Sequence, residues 1–461
     1  LHQEKRNLSF VAKLGIDIND SMEMILTVDK FRTRAFGSAF QATTVINPNL
    51  RAALGDDVIN DDFKINQDRP NVTDSDTFSM TLQFDWDISD SLALTSISSS
   101  RNFENRVGVD IDASPARPSE RFDLNLINFA RSNYNPNPES DPPNKFYTEY
   151  LNQEVRLSYS HDRVTWVNGI FIQTIEDGNS NETPLLLKDS FALKTYFGID
   201  VPSTSLYIAF TNPFVSRVDL DSYAVFSDLT YSFSEKVTVY GGVRWTWEES
   251  SFDYHRREIG VPAIAPFFIA GDEKGIFNVE AYETSAALPL DVVGVLSQIL
   301  PLNRDIYIDE ETSVDDWSGR LGLQYYINED ANLYFNVGRS FIGSGFNISR
   351  DANPDNAVLA PTVSQSVEVG FKSIGFDRRV RFNSSLFYQT ATDLQTSRIV
   401  PNTVFTETIN GGDINSYGAD FSLQWQINDW LGADIAYAYV HAELDNLVQA
   451  CYHEQSIAEG C

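Results

Sequence analysis

A short stretch in the middle of the chain, FDYHRRE at residues 252–258, concentrates side chains that could bind an anion. Tyr254 and His255 supply rings, and Arg256 and Arg257 supply guanidinium groups, in a chain whose formal net charge is −31. Arginine forms paired hydrogen bonds with planar anions and also stacks on rings. The stretch therefore indicates a site for an anionic, planar ligand. The alternative is a strand continuation whose basic side chains are solvated.

A second candidate binding cluster follows an alternating segment near residue 340. It combines two rings, an amide and a cation, contributed by Phe341, Phe346, Asn347 and Arg350. Loops held on a rigid sheet are common sites of recognition, so both clusters are candidate ligand contacts. Solvated loop residues are again the alternative.

Catalytic and metal-binding motifs are not evident in the sequence. There is no HExxH, CxxC, GxSxG or phosphate-binding loop, and the histidines have no metal-ligand spacing. The histidines are His2, His161, His255, His441 and His453. We therefore predict a binding protein without a catalytic site, an intrinsic metal or an intrinsic cofactor.

Cysteine occurs only at Cys451 and Cys461, in a polar segment. Such a pair suits a loop disulfide in an oxidising compartment. Two unpaired thiols are the alternative.

Composition excludes several classes of protein. The excess of acidic residues makes the polyanionic backbone of nucleic acid an unfavourable partner. No run of about 18 apolar residues is present, so we expect no membrane-spanning helix. The first residues, LHQEKRNLSF, lack the basic start and apolar run of a secretory signal.

The elements that must position these residues are strands, because hydrophobicity alternates with a period of two. In TFSMTLQFDWDI, Phe78, Met80 and Leu82 share one face, and Gln83 and Asp85 share the other. Seven such hairpins follow one another, many with arms of about nine to twelve residues, a length that suits a tilted crossing of a bilayer. The sequence therefore predicts strands with one apolar and one polar face.

Short and long connections alternate along the chain. The long ones span roughly residues 33–76, 101–146, 174–220, 248–315, 342–362, 390–415 and 442 onward. This asymmetry predicts an all-β fold, a transmembrane antiparallel up-and-down β-barrel with short periplasmic turns and long extracellular loops. Closure of the sheet into a barrel would leave no unpaired strand edge in the hydrocarbon of the membrane. The polar face would then line a water-filled lumen. A soluble sandwich or propeller is the alternative.

Five segments, in order, resemble the TonB-dependent outer-membrane receptors, in particular the iron-complex branch. They are QEVRLSYSHDRVTWVNGIF (153–171), SYAVFSDLTYSFSEKVTVYGGVRWTWE (222–248), FNVGRSFIGSGFN (335–347), SVEVGFKSIGFDRRVRFNSSLFYQTATDLQ (366–395) and NGGDINSYGADFSLQWQINDWLGADIAYAYVHAELD (410–445). Each motif is weak alone, whereas their order is specific.

The resemblance implies a receptor in the bacterial outer membrane, surrounded by lipid and lipopolysaccharide. It implies capture of a scarce nutrient complex, first of all a ferric siderophore, and energised uptake driven by the TonB–ExbB–ExbD complex. The family's barrels close with about 22 strands. Residues 1–461 then correspond to a partial barrel domain, without the family's N-terminal plug, TonB box and last strands. A receptor for haem, cobalamin or oligosaccharide, a passive porin-like channel, and a soluble all-β enzyme or adhesin are the competing interpretations.

Overall fold

A computed structural model of the chain describes residues 4–36, 72–108, 144–181, 185–188, 206–211, 214–264, 303–349, 352–399 and 406–446. These ranges are almost entirely strand, with one 3-10 turn at Pro354–Asn356. No helix among them is long and apolar enough to cross a membrane. Arg350, Cys451 and Cys461 lie outside the described residues, so the disulfide stays a prediction.

The strands have the following bounds. They are β1 (Glu4–Asn19), β2 (Met22–Phe36), β3 (Val72–Ser89), β4 (Leu92–Gly108), β5 (Asn144–His161), β6 (Val164–Asn181), β7 (Leu185–Lys188), β8 (Leu206–Thr211), β9 (Phe214–Ser234), β10 (Val237–Ile264), β11 (Asn303–Asn328), β12 (Ala331–Ile342), β13 (Gly345–Phe346), β14 (Val358–Leu359), β15 (Thr362–Gly375), β16 (Val380–Thr392), β17 (Gln395–Ile399), β18 (Thr406–Asn410), β19 (Asp413–Asn428) and β20 (Leu431–Asp445).

One antiparallel sheet carries the fold. Its order is β1-β2-β3-β4-β5-β6-β9-β10-β11-β12-β15-β16-β19-β20, so each long strand pairs with the next along the chain. All seven predicted hairpins are present as antiparallel pairs. The short strands β7 and β8 extend the sheet beside the far end of β10, and β13–β14 and β17–β18 form two small ladders. The up-and-down order predicted from the sequence is therefore confirmed.

The strands are longer than the sequence pattern indicated. β10 has 28 residues and β11 has 26, and their register runs unbroken from Val237↔Tyr325 to Ile259↔Asn303. The predicted loop at 248–315 was therefore wrong at both ends. Backbone pairing between β10 and β11 continues beyond the apolar stretch.

The short turns are held by side chains at the strand ends. Asn19 Oδ1 accepts from the Ser21 amide at 2.9 Å, and Asn328 Oδ1 accepts from the Asp330 amide at 3.0 Å. Such Asx turns let the chain reverse within two residues. Each hairpin therefore aligns its own two strands locally.

Paired residues share a face, so one face can be followed across the sheet. Leu82 on β3 connects through successive register pairs to Trp247 on β10. We call this side, which exposes Phe78, Met80 and Trp245, the apolar face. The opposite side, with Gln83 on β3, is the polar face. Lipid is the medium that suits the exposed rings of the apolar face.

Candidate functional site

A loop folds back onto the polar face at the end of the sheet away from the short turns. We call residues 343–349 and 352–361, between β12 and β15, the returning loop. It brings Ala352 and Ala357 against Phe252, Tyr254 and Ile308 of β10 and β11, all of them buried. Apolar burial there forms a core that the strands alone would not have.

Aromatic contacts attach this loop to β10. The rings of Phe346 and Phe252 stack with centroids 5.0 Å apart, and Phe252 lies 5.8 Å from Tyr254. The Tyr254 hydroxyl donates to the Ser349 carbonyl at 3.4 Å. Stacked rings and a satisfied hydroxyl hold the returning loop at one position above the sheet.

Asn347 links the returning loop to the next connection. Its side chain is 0% exposed, and Oδ1 accepts from the backbone amides of Thr408 at 3.1 Å and Ser349 at 3.2 Å. The backbone amide of Asn347 donates to the Ala357 carbonyl at 2.8 Å. One buried acceptor therefore fixes the geometry of two separate chain segments.

The connection between β16 and β19 packs on the returning loop from the other side. Glu407 accepts from Asn356 Nδ2 at 3.0 Å and from Arg398 Nε at 2.8 Å. Gln395 Nε2 donates to the carbonyls of Gly343 at 2.9 Å and Ala360 at 3.0 Å. We call the returning loop with residues 393–399 and 406–412 the double loop, because these contacts join them into one unit.

A cavity of about 660 Å³ lies between the double loop and the polar faces of β5, β6, β9 and β10. Its apolar lining includes Phe146, Val218 and Leu220 from β5 and β9, Phe341 from β12 and Phe346 from the returning loop. A volume of this size matches the sites of small organic ligands. The cavity is the candidate functional site.

Polar groups enter the cavity from three directions. Asp177 and Asn179 reach it from β6, Glu248 from β10 and Gln395 from the double loop. Ser222 Oγ donates to Glu248 Oε1 at 3.4 Å. A Cβ at Gly343 would collide with the Glu248 carboxylate, so glycine permits the returning loop to approach β10 there.

The first predicted cluster lies in strand β10, and its members are divided between the two faces. Tyr254 and Arg256 are buried on the polar face, at 2% and 4% exposure. His255 points to the opposite side, where its ring stacks on Tyr307 with centroids 4.2 Å apart. Arg257 continues β10, and its side chain is outside the described residues. The alternation of a strand prevents these four side chains from forming one contact surface.

The second predicted cluster is close to the cavity. Phe341 and Phe346 line it, whereas Asn347 is buried beneath and holds the double loop together. Arg350 lies outside the described residues. Their role as ligand contacts stays a prediction.

Sequence reasoning missed Asp177, Asn179, Glu248 and Gln395. Trp245 and Trp247 lie on the apolar face of β10. Because side chains alternate along a strand, Glu248 lies on the polar face, just beyond these two interfacial aromatics. That signal marks a strand end but does not separate Glu248 from other acidic residues nearby. The cavity groups come together only through strand pairing and loop docking.

A family model, TonB dependent receptor-like β-barrel, matches residues 26–455 of the chain. The chain belongs to this family. The Pesticin receptor of Yersinia pestis is 22% identical to it over 270 residues, which cover 56% of this chain and 33% of that protein. The chain therefore spans only part of the length of its curated relatives.

Solved structures of family members share the fold. The ferric yersiniabactin uptake receptor FyuA from Yersinia pestis matches with a TM-score of 0.58 and 16% identity, covering 96% of this chain and 52% of that one. The ferric-catecholate import receptor Fiu from E. coli K12 matches with a TM-score of 0.56 and 12% identity, covering 96% and 58%. Family membership confirms the predicted barrel class and outer-membrane location, and it identifies the chain as receptor sequence, not an enzyme.

Proposed function

We propose that this chain is the barrel part of a receptor that binds a ferric siderophore from outside the cell and passes it into the periplasm. The energy would come from the TonB–ExbB–ExbD complex, acting on a plug and TonB box that we place outside these 461 residues. Lipid and lipopolysaccharide would surround the apolar face. The observation that carries the proposal is the cavity of about 660 Å³ beneath the double loop.

Three features of the cavity support binding of a small molecule. It lies at the end of the sheet with the long connections, which are extracellular in such barrels. Its walls combine apolar surface with a few polar groups, as ligand sites do. The double loop that roofs it is held by buried hydrogen bonds, so little ordering would oppose binding.

The test is uptake of radioactive iron by iron-starved cells that carry the full-length protein. We expect Ser250→Trp, which fills the cavity from β10, to abolish uptake of the cognate ferric siderophore. Ser251→Trp is the matched control, since Ser251 lies on the opposite face of the same strand. Deletion of TonB should abolish uptake by the unaltered protein as well.

The ligand can be identified independently from protein purified in detergent. Native mass spectrometry with iron quantification should reveal a stoichiometric ferric chelate. A bound haem, cobalamin or saccharide would overturn the assignment of a siderophore as the ligand. The proposal that the protein is a receptor would still stand. Iron uptake that persists without TonB would contradict energised transport and would indicate a passive channel.

A further inference from the structure

The cavity presents carboxylates to its occupant. Asp177 on β6 is exposed within it, and Glu248 on β10 is half-buried at the opposite wall, against the returning loop. Both belong to the polar face, on the strands either side of β9, where Asp177 pairs with Val218 and Glu248 pairs with Ser222. An occupant of the cavity would therefore meet negative charge from two strands.

The amides at the cavity add further acceptors. Asn179 Oδ1 is buried and has no hydrogen-bond partner among the described residues. Gln395 uses its amide hydrogens on the Gly343 and Ala360 carbonyls, so its oxygen is the group that it can offer. A buried acceptor left without a donor is costly, and a ligand with N–H groups would relieve that cost.

Cationic side chains do not line the cavity within the described part of the chain. Arg244 is on the same face of β10, four residues nearer the short turn, and stacks over the Phe171 ring at 4.7 Å. Arg217 lies on the other face and pairs with Glu176 at 3.0 Å. Arg217 therefore does not face the cavity. Arg244 attracts the Glu248 carboxylate and offsets part of its charge, so the larger share of the uncompensated charge at the cavity belongs to Asp177.

We propose that the cavity selects a ferric chelate that carries a free ammonium group. This inference rests on the proposed function. The ammonium would donate to Asp177 or to Glu248, and chelate N–H groups would donate to Asn179 and Gln395. Charge-assisted hydrogen bonds of this kind are about twice as strong as neutral ones. A trianionic tris-catecholate chelate would instead meet like charge, which disfavours the wrong partner. The net charge of −31 would also attract cations to the protein.

The test compares two ferric trihydroxamates, one with a free primary ammonium group and the other with that group acetylated. Equilibrium dialysis against the full-length protein in detergent measures both dissociation constants. We expect the ammonium form to bind about 10-fold more tightly, and a ferric tris-catecholate to bind more weakly than either. In the double variant Asp177→Asn, Glu248→Gln the preference for the ammonium form should disappear.

A matched control removes equal charge from the same two strands. Glu176→Gln with Glu249→Gln alters the adjacent residues, whose side chains lie on the opposite face, and should leave the preference unchanged. Asp177→Asn alone, at an exposed position, should reduce the preference even if Glu248→Gln impairs folding.

Different results would contradict different parts of the proposal. Equal binding of the ammonium and acetylated forms, or tighter binding of the tris-catecholate, would overturn the charge selection and leave siderophore uptake standing. Failure of all three chelates to bind, together with a different ligand in native mass spectrometry, would overturn the proposed function and this inference with it.

Discussion

Two parts of the sheet carry large apolar side chains in the same alternating pattern and place them in opposite environments. On β3, Phe78 and Met80 are 44% and 45% exposed, whereas on β10 Phe252 and Tyr254 are 0% and 2% exposed. The β3 pair belongs to the apolar face, and the β10 pair belongs to the polar face under the returning loop. An alternating strand therefore specifies two faces, and the surroundings decide which face becomes a core.

The largest effect should come from Phe252→Ala, because this ring is enclosed by Phe346 and Tyr254. Phenylalanine truncation in a closed core costs about 3–5 kcal/mol. We expect a lower melting temperature in detergent and faster amide hydrogen exchange in the returning loop. Phe78→Ala on the apolar face is the control and should leave exchange in that loop unchanged. Equal changes in melting temperature and in exchange for both variants would show that the apolar face of β3 and the buried core on β10 do not differ in this way.

Leu82→Lys tests the apolar face directly. A lysine facing lipid near the bilayer midplane costs about 2–4 kcal/mol. Gln83→Lys, one residue further on the polar face, should cost little because its side chain meets water. The measurement is the folded fraction in lipid vesicles as urea is increased. A greater loss with Gln83→Lys would mean that the two faces are assigned the wrong way round.

Asn347→Ala tests the polar link beneath the returning loop. The change leaves the Thr408 and Ser349 amides without their acceptor, and an unsatisfied buried donor costs about 1–3 kcal/mol. We expect protease cleavage within the double loop while the strands stay folded. Asn7→Ala, which removes an exposed amide from β1, is the control. Resistance of the double loop to protease in Asn347→Ala would contradict the linking role.

The smallest effect should come from the ion pair of Arg32 and Asp74, which lies beyond Phe78 toward the long connections. The side-chain hydrogen bond from Arg32 lowers the pKa of Asp74. Its stabilisation is therefore present above the ordinary carboxyl pKa and lost as the pH falls through the lowered value in the folded protein. An exposed pair contributes less than about 1 kcal/mol.

Asp74→Asn should accordingly shift the melting temperature slightly at neutral pH and not at acidic pH. The two melting curves should also converge in high salt, which screens exposed charges. A large loss of stability at neutral pH would show that this ion pair, and not the buried core, dominates the long-connection end of the sheet.

Much of the fold was predictable because its pairing is local. TFSMTLQFDWDI shows both faces of β3 by inspection, and each hairpin joins strands that are adjacent in sequence. The extension of β10 through Glu248 and Tyr254 was not predictable, since the apolar alternation that marks a lipid-facing strand stops where the strand enters water. The same limit placed FDYHRRE within the predicted connection at 248–315, whereas the stated alternative, a continuation of the strand, is what the structure has.

The sequence by itself determined the alternating faces, the seven hairpins and their order, because a period of two and a short turn act between neighbouring residues. Only the tertiary structure decided that Phe252 and Asn347 would be buried and that Asp177, Glu248 and Gln395 would share one cavity. These groups come from β6, β10 and β17, and their meeting depends on the register of several strand pairs and on a loop that returns to the sheet. No local pattern records such distant contacts, since the chain must close long loops before they can form.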